Sequence, residues 1–320
     1  MRTTGATARA QLRRAAAIIR RGGIVGFPTE TVYGLGANAL SADAVRGIFR
    51  AKGRPADNPL IVHVADERML DDVAAAVPPT ARLLLRRFWP GPLTILFERS
   101  PHIPEIVTAG LPTVAVRIPD HPVALALIRE AGVPIAAPSA NRSGRPSPTS
   151  AAHVREDFPK VMVLDGGPTR HGVESTVIDV RGARPMVLRL GAITLEQLRG
   201  VLPRITVAAG VAGAPSSPGQ KYLHYSPSRP LFVFRRKETL LRYAKGLRRP
   251  VILCASGQKR HFKGYTTVDL GANADEIAHN LFAALRTKMR GDCLLVLAVQ
   301  KKGKGRAVMD RLERAATKVL

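Results

Sequence analysis

Apolar residues along the first two hundred positions fall into two rhythms. Short unbroken runs at 24–27, 60–64, 93–97, 114–118, 135–137, 161–164, 177–180 and 186–190 predict β-strands. Between them, helical spacing recurs over 11–21, 42–50, 79–88, 122–131, 150–157 and 195–202. Ser41 suits an N-cap for the second of these helices, and Pro122 suits a first helical turn. The alternation predicts an α/β domain of mixed type over residues 1–202.

The rhythm breaks over 203–229, which is rich in Gly, Pro, Ser and Ala and reads as a linker. Its centre, 217–227, carries Lys221, Tyr222, His224 and Tyr225, too much chemistry for a spacer. Strand-like runs then return at 231–234, 251–254, 266–270 and 294–299, with helices at 237–247, 274–290 and 306–318. Residues 230–320 therefore read as a smaller, parallel, Rossmann-like α/β domain. Gly303-Lys304-Gly305-Arg306 reads either as a phosphate loop or as a basic turn capping the last helix.

Composition narrows the functional classes. The chain has 320 residues, 45% of them apolar, and no run approaching the ~18 apolar residues of a membrane span. Cys254 and Cys293 sit in apolar runs without metal-ligand spacing, as buried thiols in a reducing, cytoplasmic setting would. The eight His form no zinc-like cluster, so no protein-held metal is expected. The formal net charge of +25 favours anionic partners, or else marks a solvated basic surface. Residues 229–320 are the more one-sided part, with 21 Lys or Arg against 7 Asp or Glu. With only 5% aromatic residues, a stacking platform for single-stranded RNA is not expected.

Candidate chemistry gathers where strands end. Residues 28–36 (PTETVYGLG) leave an apolar run and enter a turn dense in small and hydroxyl residues. Lys52 and Arg54 bracket Gly53, and on an extended or turning backbone both would face one anion. Asn58 follows, and His63 lies on a strand. Ser139 and Asn141 share the same two-residue spacing after the strand 135–137, and Ser147 suits either a cap or a site. Ser175 stands at the mouth of another strand. Arg117 and Arg189 lie on strands, where a cation calls for a carboxylate or phosphate partner, internal or bound. No Walker loop and no Gly-x-Gly-x-x-Gly fingerprint occurs, so a bound nucleotide needs another cradle.

In order and spacing these segments, 28–36, 52–59, 88–94, 114–119, 137–144 and 172–179, resemble the threonylcarbamoyl-AMP synthase family, with its YrdC-like twisted mixed sheet. The linker 217–227 and the tail 305–312 resemble the two-domain branch of that family. The resemblance implies an enzyme that joins L-threonine, bicarbonate and ATP into threonylcarbamoyl-adenylate and pyrophosphate. It implies L-threonine contacts at Thr31, His63, Arg117, Ala137 and Ser175. It implies ATP contacts at Arg54, Asn58, Thr113, Ser139, Ser147, Arg189 and Tyr225, with Lys52, Arg54, Ser139 and Asn141 at the reacting centre and the linker folding over the nucleotide. Mg2+ would arrive with ATP. A downstream tRNA threonylcarbamoyl-transfer enzyme would take the product, and the basic surface could meet tRNA. Gln220 departs from the family, which usually has Met there. Two rival readings remain: a double-stranded RNA or ribosome-associated binding protein without turnover, and a carbamoyltransferase module. The second lacks the Cys arrays such proteins carry.

Overall fold

The structure, a computed structural model, describes residues 5–208 and 225–320. The chain divides into two compact units. The first comprises Met1–Ser143, Pro148–Arg170 and Glu174–Lys221, and the second comprises Gly144–Ser147, His171–Val173 and Tyr222–Leu320.

Among the described residues, the first unit is built on ten strands: β1 (Val25–Phe27), β2 (Gly34–Asn38), β3 (Ile61–His63), β4 (Leu93–Glu98), β5 (Thr113–Arg117), β6 (Ile135–Ala137), β7 (Met162–Val163), β8 (Thr176–Asp179), β9 (Met186–Arg189) and β10 (Thr206–Val207). Their order across the sheet is β10-β9-β8-β4-β5-β3-β6-β2-β1-β7. The sheet is mixed, as the pattern predicts: β3 runs parallel to β5 and β4 to β8, while β4 and β5 are antiparallel. Helix Ala42–Lys52 is capped by Ser41, whose side chain accepts from the Ala44 amide, and Pro122 opens helix Pro122–Ala131.

One strand eludes the hydrophobic pattern. Gly34–Asn38 reads as part of a turn because it holds two glycines and an asparagine, yet it pairs with both β1 and β6. Packing explains the glycine: a Cβ on Gly36 would lie 2.6 Å from Ile135 Cγ2 and 2.7 Å from the Phe27 ring. The boundary of the linker also shifts. Thr206–Val207, expected to be irregular, pairs with β9 as an edge strand. Residues 217–224 of the linker, Gln220 among them, lie outside the described residues.

Five further strands, β11 (Leu231–Phe234), β12 (Pro250–Cys254), β13 (Thr266–Asp269), β14 (Cys293–Leu297) and β15 (Lys318–Val319), form the second sheet. They lie in the order β13-β12-β14-β11-β15 and every pairing is parallel. Two helices are shorter than their apolar rhythm suggests, ending at Leu285 and Ala315, so that Lys318 belongs to a strand. Phe234, Ile252, Phe262 and Leu295 fill the core of one side of this sheet. Both cysteines are buried free thiols, pushed up in pKa by burial. Among the described residues no helix is long and apolar enough to cross a membrane.

The packing at Gly36 gives a direct test. Gly36→Ala forces a methyl against the Phe27 ring and Ile135, and overpacking of this kind costs about 1–3 kcal/mol. The urea midpoint of the variant is expected to fall accordingly; an unchanged midpoint would mean that the sheet has slack there.

Candidate functional site

Strand pleating decides which side chains share a surface. Side chains alternate faces along a strand, and directly paired residues share a face. The register pairs Ile61 with both Ala115 and Ala137, and His63 with both Arg117 and Ile135. It pairs Leu96 with Ala115 and Thr94 with Val177, and Val177 with Arg189. Thr113, Ala115, Arg117, Ile61, His63, Ala137, Thr94, Leu96, Val177 and Arg189 therefore share one face. The opposite face, Val62, Val114, Val116, Ile95 and Ile178, is sealed in the main core. The shared face keeps a little access: Thr113 and Ile61 remain 8% exposed and Ala115 6%, against 0% for Val62 and Val116. Ile61, Leu96, Ala115 and Val177 form a small apolar cluster of their own, the floor of the candidate site.

Arg117 is the charge at the end of this floor. It is buried, forms an ion pair with Glu30 at 3.5 Å and donates from Nη1 to Thr31 Oγ1 at 2.9 Å. Its internal partner is thus Glu30, a residue the motif contains but sequence reasoning did not single out. Neither Glu30 carboxylate oxygen accepts a hydrogen bond among the described residues. The turn before β2 is held by Thr29, whose hydroxyl donates to the Val32 carbonyl (2.6 Å) and meets Thr31 Oγ1 at 2.8 Å. Beside Arg117, burial and that guanidinium push the His63 pKa down to about 3, so the ring is neutral at ordinary pH. His63 Nδ1 lies 3.3 Å from the Ile135 carbonyl, and its ring meets Phe27 edge-on at 5.8 Å.

Lys52 and Arg54 are arranged differently from the expected extended pair. Lys52 is the last residue of a helix and Gly53 is its left-handed C-cap, with φ of 60°. The two cations therefore serve separate segments. Lys52 Nζ, buried, donates to the Ser139 carbonyl at 2.6 Å and also to the Asn141 carbonyl. Arg54 donates to the carbonyls of Asn58 (3.1 Å) and Pro59 (3.2 Å). Ser139 and Asn141 do come together: Ser139 Oγ donates to Asn141 Oδ1 at 2.5 Å. Lys52 thus carries the backbone of the loop that presents both side chains.

At the far side of the floor, Arg189 reaches Ser175. It donates to the Ser175 carbonyl (Nε 3.1 Å, Nη2 2.9 Å) and to Ser175 Oγ (3.0 Å). Ser175 Oγ also meets Thr94 Oγ1 at 2.8 Å. Thr94 lies inside the segment 88–94, but sequence reasoning gave it no role. Ser147 and Tyr225 belong to the second unit. There Ser147 is fully buried, and Tyr225, at φ of 67°, lies 5.1 Å from the Phe282 ring with the Arg311 guanidinium 5.7 Å from its own.

Comparison with known proteins brings family and geometry together. The Sua5/YciO/YrdC family model, described as "Telomere recombination", matches residues 17–191, and that of "Threonylcarbamoyl-AMP synthase, C-terminal domain" matches 193–317. The chain is 48% identical to the threonylcarbamoyl-AMP synthase of Pyrococcus abyssi, over 96% of this chain and 94% of that protein. It is 45% identical to that of Bacillus subtilis, over 96% and 93%. The crystal structure of P. abyssi Sua5 complexed with L-threonine superposes with a TM-score of 0.89 at 45% identity, covering 97% of this chain and 96% of the other.

The low His63 pKa sets a pH dependence. In the unfolded chain the imidazole takes a proton near pH 6.5; in the folded chain it does so only near 3. Its contribution to stability is therefore complete above about pH 6.5 and is lost as pH falls from there toward 3. Between pH 7 and 5, wild type is expected to lose on the order of 2 kcal/mol more than His63→Asn, read from urea midpoints. Equal losses would place His63 in a solvated setting.

Proposed function

We propose that this chain, which belongs to the threonylcarbamoyl-AMP synthase family in its two-domain form, makes threonylcarbamoyl-adenylate and pyrophosphate from L-threonine, bicarbonate and ATP. The observation that carries the reading is the buried guanidinium of Arg117 beside a small apolar floor, with Thr31 already hydrogen-bonded to it. A small amino acid brings a carboxylate for that guanidinium, which can take it in a bidentate grip. His63, neutral, offers the amino acid a polar contact without adding charge.

The chemistry needs little from side chains beyond placement. The threonine amine, after losing a proton, attacks the carbon of CO2 derived from bicarbonate and yields a carbamate. A carbamate oxygen then attacks the α-phosphorus of ATP, the bond to the bridging oxygen breaks, and pyrophosphate departs. Developing negative charge on the phosphoryl oxygens favours nearby cations and fixed donors, here Arg54 and Arg189 with Ser139 and Asn141. Positioning supplies the remainder. Mg2+ enters on the triphosphate as part of the substrate. Among the described residues no group of three or more His, Cys, Asp or Glu side chains could hold it in the protein. The product passes to a tRNA threonylcarbamoyl-transfer enzyme, and the basic second unit is a surface for tRNA.

Pyrophosphate release, measured with each substrate omitted in turn, tests the reaction. Release should require ATP, threonine and bicarbonate together; release that ignores threonine would overturn the reading. Lys52→Ala removes both ties to the Ser139–Asn141 loop and should lower kcat about 100-fold or more, with the circular dichroism spectrum unchanged. Wild-type kcat in that variant would remove Lys52 from the machinery.

A further inference from the structure

Glu30 is a buried carboxylate whose hydrogen-bonding capacity is unused. Its side chain is 1% exposed, and neither oxygen accepts a hydrogen bond among the described residues. An ionised carboxylate offers about four acceptor sites, and burying it with those sites empty is costly. A carboxylate that serves only to neutralise an arginine closes on it at about 2.7–2.9 Å, with paired hydrogen bonds. Here the approach is 3.5 Å, and Arg117 Nη1 donates to Thr31 Oγ1 instead. The other polar groups beside Arg117 are committed or neutral. Thr29 Oγ1 gives its proton to the Val32 carbonyl, so in its contact with Thr31 at 2.8 Å it is Thr31 that donates. Thr31 Oγ1 in turn accepts from Arg117. His63 is neutral at ordinary pH. Among the described residues, Glu30 is the acidic side chain that pairs with Arg117.

We infer that Glu30 holds the ammonium group of the amino acid whose carboxylate Arg117 takes. An α-amino acid carries its nitrogen about 2.5 Å from its carboxylate carbon, by standard bond lengths and angle. The partner of the amine must therefore lie next to the partner of the carboxylate, and Glu30 lies next to Arg117. The two side chains are also buried to a similar depth, 1% and 3% exposed, so neither is more open to a ligand than the other. Charge balance points the same way. A zwitterion that parts a buried ion pair gives each ion a new partner, so no charge is left uncompensated. A ligand with a carboxylate alone would take Arg117 and strand Glu30. The inference rests on the proposed L-threonine site, and it names the group there that selects an α-amino acid over a plain hydroxy acid.

The experiment is calorimetric titration of the full chain with L-threonine and with (R)-β-hydroxybutyrate, which keeps the carboxylate, hydroxyl and methyl of threonine and lacks the amine. Wild type should prefer threonine about 100-fold. Glu30→Gln keeps the shape and removes the charge. It should weaken threonine about 30-fold and leave hydroxybutyrate at wild-type affinity or tighter, because Arg117 then has no competing anion. Glu30→Asp keeps the charge but withdraws it by one methylene. Its preference for threonine should fall between those of wild type and Glu30→Gln, and it carries the test should the Gln variant fail to fold. A carboxylate that merely holds Arg117 in place predicts another pattern: both ligands weaken in parallel in either variant, and the preference stays as in wild type. That parallel loss, or unchanged threonine affinity in Glu30→Gln, would overturn the inference and leave the threonine site standing. A wild-type chain that binds no threonine would overturn the site itself, and this inference with it.

Discussion

The buried charge of Arg117 is the constraint on which the rest of the first unit turns. A guanidinium at the end of a central strand loses its water, and burial lowers its pKa while Glu30 opposes that shift. An unpaired charge in such a place costs several kcal/mol. Glu30 supplies the counter-charge, but at 3.5 Å and without a hydrogen bond to either oxygen. The pair is electrically balanced and geometrically unfinished, which leaves Arg117 able to accept a better-matched carboxylate.

Everything that surrounds this charge follows from strand pleating. Once Arg117 faces the floor, Ala115 and Thr113 face it too, and the register carries His63, Ile61, Ala137 and Thr94 to the same surface. Small residues at 115 and 137 keep the floor low. The other face, made of Val62, Val116 and Ile95, anchors the sheet in its main core. A one-residue slip in any of these strands would turn the polar set into the main core and the apolar set onto the floor, so the packing that stabilises the fold also fixes the site.

The degree to which sequence disclosed this differs by element. Strands such as Ile135–Ala137 and Leu231–Phe234 were legible as compact apolar runs, and the helices Pro79–Phe88 and Pro122–Ala131 by their helical spacing, each opened by a proline. Gly34–Asn38 was not, because its glycines answer to the Phe27 ring and Ile135, which only the fold brings near. The Lys52–Arg54 spacing suggested a shared anion, yet a helix ends between them and sends Lys52 to the Ser139–Asn141 loop. Glu30 and Thr94 stayed hidden for a similar reason. Their importance lies in partners 87 and 81 residues away along the chain, Arg117 and Ser175, and no local pattern records such distances.

The central claim is that the Arg117 charge is kept for a substrate carboxylate. It is tested most directly by titrating wild-type protein with L-threonine and with L-threoninamide, which differ only at that group. A carboxylate paired with a buried guanidinium should make threonine bind about 100-fold tighter than the amide. Equal affinity for the two would contradict the account, because Arg117 would then serve Glu30 alone.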